Sequence, residues 1–226
     1  MGAEYSVEDA GDCVDQTKNP LVVFGKTHLA DGKRVFVVRA DKSKNGKSAS
    51  ENKSKLKSWL IQDTHGANCF KVDYRFKFTQ RLLDAKGGII AILDKRIDTA
   101  FYTKRVFNGD SLEEEDLAIE ACRRISHYRA EMCVKIYDHT ENRKGKKGKV
   151  LESLRVLGNK KEKTFVVLRN DVVIGKSYRM DRFNIVKGSE AHNKCQDTYY
   201  LEVASGVDTV LIISLAAAMN RFMKKK

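Results

Sequence analysis

Residues 197–223 read DTYYLEVASGVDTVLIISLAAAMNRFM, and the pattern of side chains changes halfway along this stretch. Apolar and polar positions alternate from Tyr199 to Val203, which predicts a β-strand with one buried face. The residues after Val203 break this alternation. Asp208 is placed where its carboxylate would accept hydrogen bonds from the free N–H groups that begin a helix. We therefore predict a strand, a short turn and a helix capped by Asp208.

The helix predicted after Asp208 has no polar stripe. On a helix of 3.6 residues per turn, apolar side chains occupy every face, so the helix must be surrounded on all sides. Its predicted core residues are Val210, Leu211, Ile212, Ile213, Leu215, Ala218 and Met219. About ten apolar residues are too few to cross a hydrocarbon layer, which needs roughly 20. We therefore expect protein, and specifically β-sheet, to enclose this helix.

The rest of the chain has the pattern of a β protein. Short apolar runs recur about every eight to twelve residues, with turn residues between them. Examples are the alternating residues 68–83, the turn at Gly87 and Gly88, and the turn at Asn170 and Asp171. This spacing is typical of an antiparallel sandwich or barrel. Because closure removes free sheet edges, we predict a mainly β protein, a closed antiparallel barrel threaded by its C-terminal helix.

One segment departs from this β pattern. Ser111 and Glu114 have the spacing of a capping box, in which the two side chains satisfy free N–H groups at a helix start. Acidic residues lead the segment, whereas Arg123 and Arg124 close it, and this order complements a helix dipole. We predict one inserted surface helix over residues 112–126.

Length and charge set limits on domain organisation and partners. The chain has 226 residues and a net charge of +13. Residues 1–16 contain five acidic residues and no basic one, so the remainder carries +18. We expect a flexible acidic tail over residues 1–19 and a single domain over 20–226. A body this basic favours a polyanionic partner such as anionic lipid or nucleic acid; a lysine-rich solvated surface is the alternative.

The sequence has no pattern typical of a catalytic or metal site. Its five cysteines and five histidines are scattered, with no C-x-x-C or H-E-x-x-H, and it contains no G-x-S-x-G or G-x-G-x-x-G. Scattered, odd-numbered cysteines favour reduced thiols. No apolar segment precedes a small-residue cleavage site near the N-terminus, so we expect no secretory signal. We expect a non-enzymatic intracellular protein without a metal or cofactor.

A first basic segment precedes a predicted strand. Lys53, Lys55 and Lys57 alternate along the chain just before Trp59. In an extended conformation their ammonium groups share one face, which would form a ridge suited to phosphate groups. The alternative interpretation is a solvated loop that leads into a strand.

The densest basic cluster lies between two predicted strands. It consists of Arg143, Lys144, Lys146, Lys147 and Lys149. Two glycines within it would let backbone N–H groups approach a phosphate together with the side chains. The spacing is not that of a Walker A loop. We interpret the cluster as a site for anionic lipid or nucleic acid, with a ligand-free hairpin loop as the alternative.

The N-terminus matches the pattern M-G-x-x-x-[S/T] for N-myristoylation of Gly2. This pattern is short and matches by chance often, and the acidic residues nearby would be repelled by anionic lipid. A chance match is therefore the preferred interpretation. An acylated Gly2 together with a basic body would supply the two signals that a stable membrane anchor needs.

Two stretches resemble motifs of the LURP-one-related family. Residues 69–92 contain CFKVD followed by LLDAKGGIIAI, and residues 199–208 contain YYLEVASGVD ahead of the apolar helix. That family shares the tubby C-terminal-like fold with the phospholipid scramblases. The resemblance implies a barrel of about twelve strands around a central hydrophobic helix, with insertions at about 41–57 and 111–126.

Together, the basic body and the resemblance suggest a function. We expect a monomeric, non-enzymatic binding module that docks on anionic membrane lipid or phosphoinositide, in signalling or defence. The expected location is the cytoplasm and the membrane periphery. The alternative is a nuclear, nucleic-acid-associated or transcription-linked regulatory protein, and a lesser alternative is a scramblase-like lipid protein.

Overall fold

Twelve strands form one closed antiparallel barrel in the computed structural model, which describes residues 11–40, 58–74, 79–96, 103–124, 130–138, 146–159, 164–179 and 198–223. The strands are β1 (Arg34–Ala40), β2 (Trp59–Gln62), β3 (Asn68–Tyr74), β4 (Gln80–Asp84), β5 (Ile89–Arg96), β6 (Thr103–Asn108), β7 (Leu117–Arg124), β8 (Ala130–Tyr137), β9 (Val150–Asn159), β10 (Thr164–Arg169), β11 (Val172–Arg179) and β12 (Tyr199–Val203). Sequential strands are neighbours, and β12 pairs with β1 to close the barrel. The prediction of a mainly β protein with a closed antiparallel barrel is confirmed.

Different strand ends and turns lie at the two ends of the barrel. At one end β12 finishes and the helix α1 (Thr209–Met223) begins, and we call this the helix-start end. The β4–β5, β6–β7 and β10–β11 turns lie there, as do the end of β8 and the start of β9. The opposite end holds the end of β1, the start of β2 and the start of β4.

Two of the predicted turns form as the sequence indicates. Asp84 Oδ1 accepts hydrogen bonds from the N–H groups of Lys86 and Gly88, at 2.9 and 2.7 Å, which closes the β4–β5 turn. Asn170 and Asp171 join β10 to β11 with φ angles of 50° and 61°. Positive φ at both residues is typical of a type I′ turn, the common connection in a two-residue β-hairpin. Asparagine and aspartate tolerate this left-handed conformation better than most residues.

The predicted surface helix over residues 112–126 is wrong. Residues 117–124 form β7, which pairs with β6 and with β8, and only a short 3-10 turn, Glu114–Asp116, precedes it. The Ser111 hydroxyl accepts a hydrogen bond from Glu113 N–H at 3.0 Å, and the Glu114 carboxylate binds Arg105. Tertiary contacts explain why a strand forms here instead of a helix. Without a strand between them, β6 and β8 would each have backbone N–H and C=O groups without hydrogen-bond partners.

The C-terminal helix predicted after β12 is confirmed, and its predicted core residues are buried. Within 209–219, each of the predicted core residues is at most 1 % exposed, namely Val210, Leu211, Ile212, Ile213, Leu215, Ala218 and Met219. They belong to the same apolar cluster as strand residues such as Val72, Leu93 and Val134. Gly175 of β11 lies so close that an added Cβ would be 2.9 Å from Ile212 Cδ1. The strand backbone therefore approaches the helix closely at this point.

Asp208 joins the helix to an earlier part of the chain. Its Oδ1 accepts hydrogen bonds from Val210 N–H at 2.9 Å and Leu211 N–H at 3.4 Å, so it caps α1 as predicted. Its Oδ2 accepts from Val23 N–H at 3.0 Å and Phe24 N–H at 2.7 Å. Sequence analysis did not foresee this second pair of contacts.

Residues 11–30 lie across the helix-start end and connect to it through backbone hydrogen bonds. Val14 N–H donates to Val173 O, and Gln16 N–H donates to Ser205 O, at 2.9 and 2.8 Å. Arg169 donates to Gln16 Oε1 and to Asn19 O, and it also forms a bidentate ion pair with Glu152. Of the predicted tail, residues 11–19 therefore contact the barrel, and residues 1–10 lie outside the described residues.

Candidate binding surface

The predicted basic cluster ends in a tightly built connection between β8 and β9. Asp138 N–H donates a hydrogen bond to Lys149 O at 2.9 Å, and Val150 is in register with Tyr137. A Cβ added at Gly148 would lie 1.7 Å from Asp138 O. Because only glycine permits this approach, Gly148 sets the path of the lysines on either side of it.

Exposed cationic and apolar side chains lie next to one another here. Lys146 and Lys149 are exposed, as is Lys135 on β8. Val150 is 41 % exposed and Leu151 is 61 % exposed. Lys135 is in register with Ser153, which lies two residues after Leu151 in β9. We call Lys135, Lys146, Lys149, Val150 and Leu151 the lysine–leucine patch.

Lys147 belongs to the predicted cluster but is held by other groups. Its Nζ lies 2.6 Å from Glu120 Oε2 and 4.4 Å from the centroid of the Tyr137 ring. Burial by itself would lower the pKa of Lys147, but hydrogen bonds to Glu120 and Tyr137 raise it above its usual value. The ammonium is therefore charged and already paired, so it anchors the patch to β7 and β8.

The β6–β7 turn lies at the same end of the barrel and is acidic. Leu112 is 52 % exposed, and residues 113–116 are all acidic. Glu114 is paired with Arg105, whose guanidinium lies 5.1 Å from the Phe107 ring centroid. Negative charge beside the lysine–leucine patch would restrict how an anionic surface can approach it.

The other sequence-predicted site residues belong to segments outside the part of the chain that the structure describes. Arg143 and Lys144 lie outside the described residues, and so do Gly2 and the three lysines Lys53, Lys55 and Lys57. The strand ends that flank residues 41–57 are Ala40 and Trp59, and both are at the end of the barrel away from the patch. The anchor points of the two basic segments are therefore separated by the length of the barrel.

Sequence analysis missed the apolar part of the patch, although the sequence contained a signal for it. Leu151, Leu154 and Val156 all fit an apolar run in β9. Leu154 and Val156 are two residues apart and both are buried, whereas Leu151, three residues before Leu154, is exposed. Strict counting of alternation would have placed Leu151 on the outer face.

A second polar cluster lies under residues 11–13. Glu202 on β12 is 4 % exposed, and its Oε1 is 3.2 Å from Lys33 Nζ and 3.7 Å from Lys176 Nζ. Asp12 Oδ1 is 3.3 Å from Lys176 Nζ. Burial raises the pKa of the Cys13 thiol to about 12, and Glu202 adds to this effect. The thiol is therefore protonated and a poor nucleophile, so the cluster holds the N-terminal segment and offers no thiolate chemistry.

The described residues contain no group of three or more His, Cys, Asp or Glu side chains placed to hold a metal ion. Within the same part of the chain, no helix combines the length and apolar character that a membrane crossing demands.

Comparison with known proteins identifies the family. A solved X-ray structure of a protein from Arabidopsis thaliana is similar, with a TM-score of 0.59 and 19 % sequence identity; the match covers 90 % of this chain and 99 % of that chain. At this identity the likeness shows the fold alone. No curated protein sequence matches the chain significantly. The model of the LURP-one-related family matches residues 47–220, well over half of the sequence, and the chain therefore belongs to the LURP-one-related family.

Proposed function

We propose that the protein is a non-enzymatic module that docks on anionic membrane lipid through the lysine–leucine patch. One observation carries this proposal: the exposed large apolar residues of β9, Val150 and Leu151, lie next to exposed lysines at the start of that strand. An apolar side chain at such a position would enter the interface of a bilayer, while the lysines would meet the headgroups.

The energies of the two contributions are of similar size. A lysine near an anionic leaflet contributes about 1 kcal/mol, so Lys135, Lys146 and Lys149 together contribute about 3 kcal/mol. Burial of the Leu151 side chain contributes roughly 1.5–3 kcal/mol. Lys147 adds little, because its charge is already paired with Glu120. Docking of this strength is reversible, and it would place the protein at the periphery of the membrane.

We also propose the finer features that the family resemblance implies. The burial of α1 side chains among inward-facing strand residues supports a helix that runs through the barrel interior. A barrel around a hydrophobic C-terminal helix would relate this fold to the tubby C-terminal-like proteins and the scramblases. By the same resemblance, phosphoinositide is the proposed lipid, and the cytoplasm is the proposed location of a monomeric protein.

Vesicle binding tests the proposal directly. The full chain would be mixed with vesicles of neutral lipid, phosphatidylserine or single phosphoinositides at matched total charge, and binding measured by co-sedimentation with and without duplex DNA. We expect binding to anionic vesicles, and a loss of at least tenfold for Leu151→Ser and for Lys146→Glu with Lys149→Glu. Lys86→Glu is the matched control, because Lys86 is exposed on the β4–β5 turn and strands β6 and β7 separate that turn from the patch.

The outcomes separate the alternatives. Preference for one phosphoinositide would support a specific headgroup site, whereas binding that follows total charge would reduce the proposal to general electrostatic docking. An absence of binding to every vesicle, or equal effects of Lys86→Glu and Lys146→Glu, would refute the patch as the docking surface. Binding that DNA abolishes, with a steep dependence on salt, would support the nucleic-acid alternative.

A further inference from the structure

We propose that Cys122 of β7 and Cys133 of β8 form a redox site, a pair of thiols that a peroxide oxidises reversibly to a disulfide. The two residues are directly opposite each other in the antiparallel pair of β7 and β8. Cys133 follows Cys122 by 11 residues, and neither belongs to a C-x-x-C motif. Both are free thiols in the structure. Strand register, and not a sequence motif, therefore brings the two thiols together.

Both thiols lie on the outer face of the barrel. Their chain neighbours Ala121 and Val134 are also opposite each other, and these two residues are fully buried in the central core. Because adjacent residues of a strand point to opposite faces, Cys122 and Cys133 point outwards. Each of the two cysteines is partly exposed. A small oxidant can therefore reach either sulfur.

The spacing of directly opposite residues suits a disulfide. In an antiparallel pair their Cα atoms are about 4.5 or 5.5 Å apart, and disulfides join Cα atoms about 4.4–6.8 Å apart. Opposite Cβ atoms are about 4.5–5.5 Å apart, and a disulfide needs about 3.5–4.5 Å. A shift of roughly 1 Å between β7 and β8 is therefore enough for the bond to form.

The other contacts of the two thiols are weak. Cys122 Sγ is 3.7 Å from Thr103 Oγ1 on β6 and 4.0 Å from Glu120 Oε1. Cys133 is in register with Arg155 of β9, whose guanidinium is paired with carboxylates. A thiol is only a weak hydrogen-bond donor and acceptor, so little is lost when the Cys122 sulfur bonds to Cys133 instead.

Two other cysteines among the described residues compete poorly for the oxidant. Burial raises the pKa of the Cys13 thiol to about 12, and burial also raises the pKa of Cys69. A raised pKa leaves less of the thiolate, which is the form that reacts. Cys69 has no cysteine opposite it in the described parts of β2 and β4. Oxidation should therefore be selective for the cross-strand pair.

The reaction balances with hydrogen peroxide as the oxidant. One thiolate attacks a peroxide oxygen, the O–O bond breaks, and a sulfenic acid forms as hydroxide leaves. The second thiol attacks the sulfenic sulfur, so that the S–S bond forms, the S–O bond breaks and water leaves. In total the two thiols lose two electrons and two protons, and the peroxide becomes two molecules of water. A thiol reductant reverses the change by thiol–disulfide exchange.

The test treats the full, reduced chain with hydrogen peroxide and maps its disulfides by mass spectrometry without reduction. We expect one intramolecular link, between the peptides that contain Cys122 and Cys133, and its removal by dithiothreitol. Cys122→Ser and Cys133→Ser should each lower the yield of linked peptide at least tenfold. Cys69→Ser is the matched control, because it removes a partly exposed thiol on β3, and it should form the link like the wild type.

A second probe measures the proximity of the thiols without oxidation. Phenylarsine oxide is a trivalent arsenical that bridges two neighbouring thiols. The reduced wild type should bind one equivalent, and each of the variants Cys122→Ser and Cys133→Ser should bind it at least tenfold more weakly. The wild-type measurements decide the question even where a serine variant fails to fold. Neither probe involves lipid, so the result is independent of the proposed docking on membranes.

The outcomes are distinct. A reversible link between Cys122 and Cys133 in the folded chain, together with arsenical binding, supports the site. The proposal is wrong if peroxide leaves both thiols reduced, joins one of them to Cys195, or yields a sulfinic acid without a link. It is also wrong if the reduced wild type does not bind the arsenical. An equal yield of the link in urea would show that closeness in sequence makes the bond, and would contradict a site built by the register of β7 and β8.

Discussion

Asp208 joins the start of α1 to an earlier part of the chain through one carboxylate. Its two oxygens accept four backbone hydrogen bonds, two from the first turn of α1 and two from Val23 and Phe24. Its own N–H donates to Leu21 O at 3.0 Å. A helix cap that also holds a distant segment is a tertiary contact, so its loss would affect more than the helix end.

We predict that Asp208→Ala lowers the free energy of unfolding by about 2–4 kcal/mol, because it leaves buried N–H groups without acceptors. Burial raises the pKa of Asp208 above the usual 3.8, although the N–H groups of Phe24 and Val23 lower it. The folded chain therefore binds this proton more readily than the unfolded chain does. The contribution of the carboxyl to stability is then greatest below the usual aspartate pKa and is lost as the pH rises through the raised pKa.

Urea unfolding of the wild type and Asp208→Ala at several pH values measures both effects. The free-energy difference between the two proteins should become smaller as the pH rises above about 4. A difference that grew with pH would show that the four hydrogen bonds outweigh burial, and that the sign of the pKa shift is the reverse. Asp31→Ala is a suitable control, since Asp31 is exposed and its ion pair is with the nearby Arg34.

The reactivity of the Cys13 thiol can show whether residues 11–13 stay packed against the barrel. Burial and the nearby Glu202 raise the pKa of its thiol to about 12. We predict that iodoacetamide at about pH 8.5 modifies Cys13 at least tenfold more slowly in the folded chain than in urea, because the thiolate is the reactive form. Peptide mapping by mass spectrometry separates Cys13 from the other cysteines. Rapid modification of Cys13 in the folded chain would mean that residues 11–13 do not stay against β11 and β12.

Among the secondary-structure elements, α1 and β11 show how closely the core is packed. Gly175 leaves no room for a side chain, since its Cβ would be 2.9 Å from Ile212 Cδ1 and 3.0 Å from Ile212 Cγ2. Helix and strand therefore meet at a distance that is set by one glycine and one isoleucine. The match between these two residues is a property of the folded chain, because 37 positions separate them in the sequence.

We predict that Gly175→Ala lowers the free energy of unfolding by about 1–3 kcal/mol through overpacking. Ile212→Val in the same chain should restore part of this loss, because it removes Cδ1. A double-mutant cycle by chemical denaturation measures the coupling between the two sites. Gly32→Ala is the matched control, since nothing lies within 4 Å of its added Cβ. Additive effects at Gly175 and Ile212 would argue against direct contact.

The segment 111–124 shows why local pattern can mislead about an element. Its acidic start and basic end suit a helix, and the capping-box spacing of Ser111 and Glu114 is genuine. However, Leu117, Ile119 and Ala121 also alternate, and each is fully buried in β7. The apolar residues fit both periods, and pairing with β6 and β8 selects the strand. Local signals cannot report the two neighbouring strands that make this choice.

At the scale of the whole molecule, the strands and α1 contribute side chains to one apolar core. Leu21 and Ala30, on either side of the N-terminal 3-10 turn Lys26–His28, contact Gly206, Val207 and Asp208 through backbone hydrogen bonds. The apolar side chains of α1 fill the same core that the strands line. We therefore expect the barrel and α1 to fold as one cooperative unit.

We predict that a chain lacking residues 208–226 does not fold. Without α1, the inward-facing residues of the strands would line a void, and the free energy lost would exceed the 5–15 kcal/mol typical of a whole domain. Calorimetry and near-ultraviolet circular dichroism should show no cooperative transition. Removal of residues 224–226 alone is the control and should leave the transition intact. A cooperative transition in the shorter chain would contradict an interior position of α1.

For the candidate surface, sequence analysis located the lysines but not their roles. It could not distinguish Lys147, which is paired with Glu120, from Lys146 and Lys149, which are exposed. Glu120 precedes Lys147 by 27 residues, and only the pairing of β7 with β8 brings the two together. Lys104 of β6 is 1 % exposed and shares the inner face with Val106 two residues later. This direction could not be foreseen, because a lysine in an alternating strand is ordinarily assigned to the outer face.

The amino-acid sequence alone was sufficient for the β class, the closed barrel, the turns at 84–88 and 170–171, and the C-terminal helix that Asp208 caps. Each of these rests on local periodicity or on the conformational preferences of a few adjacent residues. Tertiary structure was needed for the strand at 117–124, the second pair of Asp208 contacts, the paired state of Lys147 and the inward direction of Lys104. These features depend on residues distant in sequence, whose proximity comes from strand register and barrel closure.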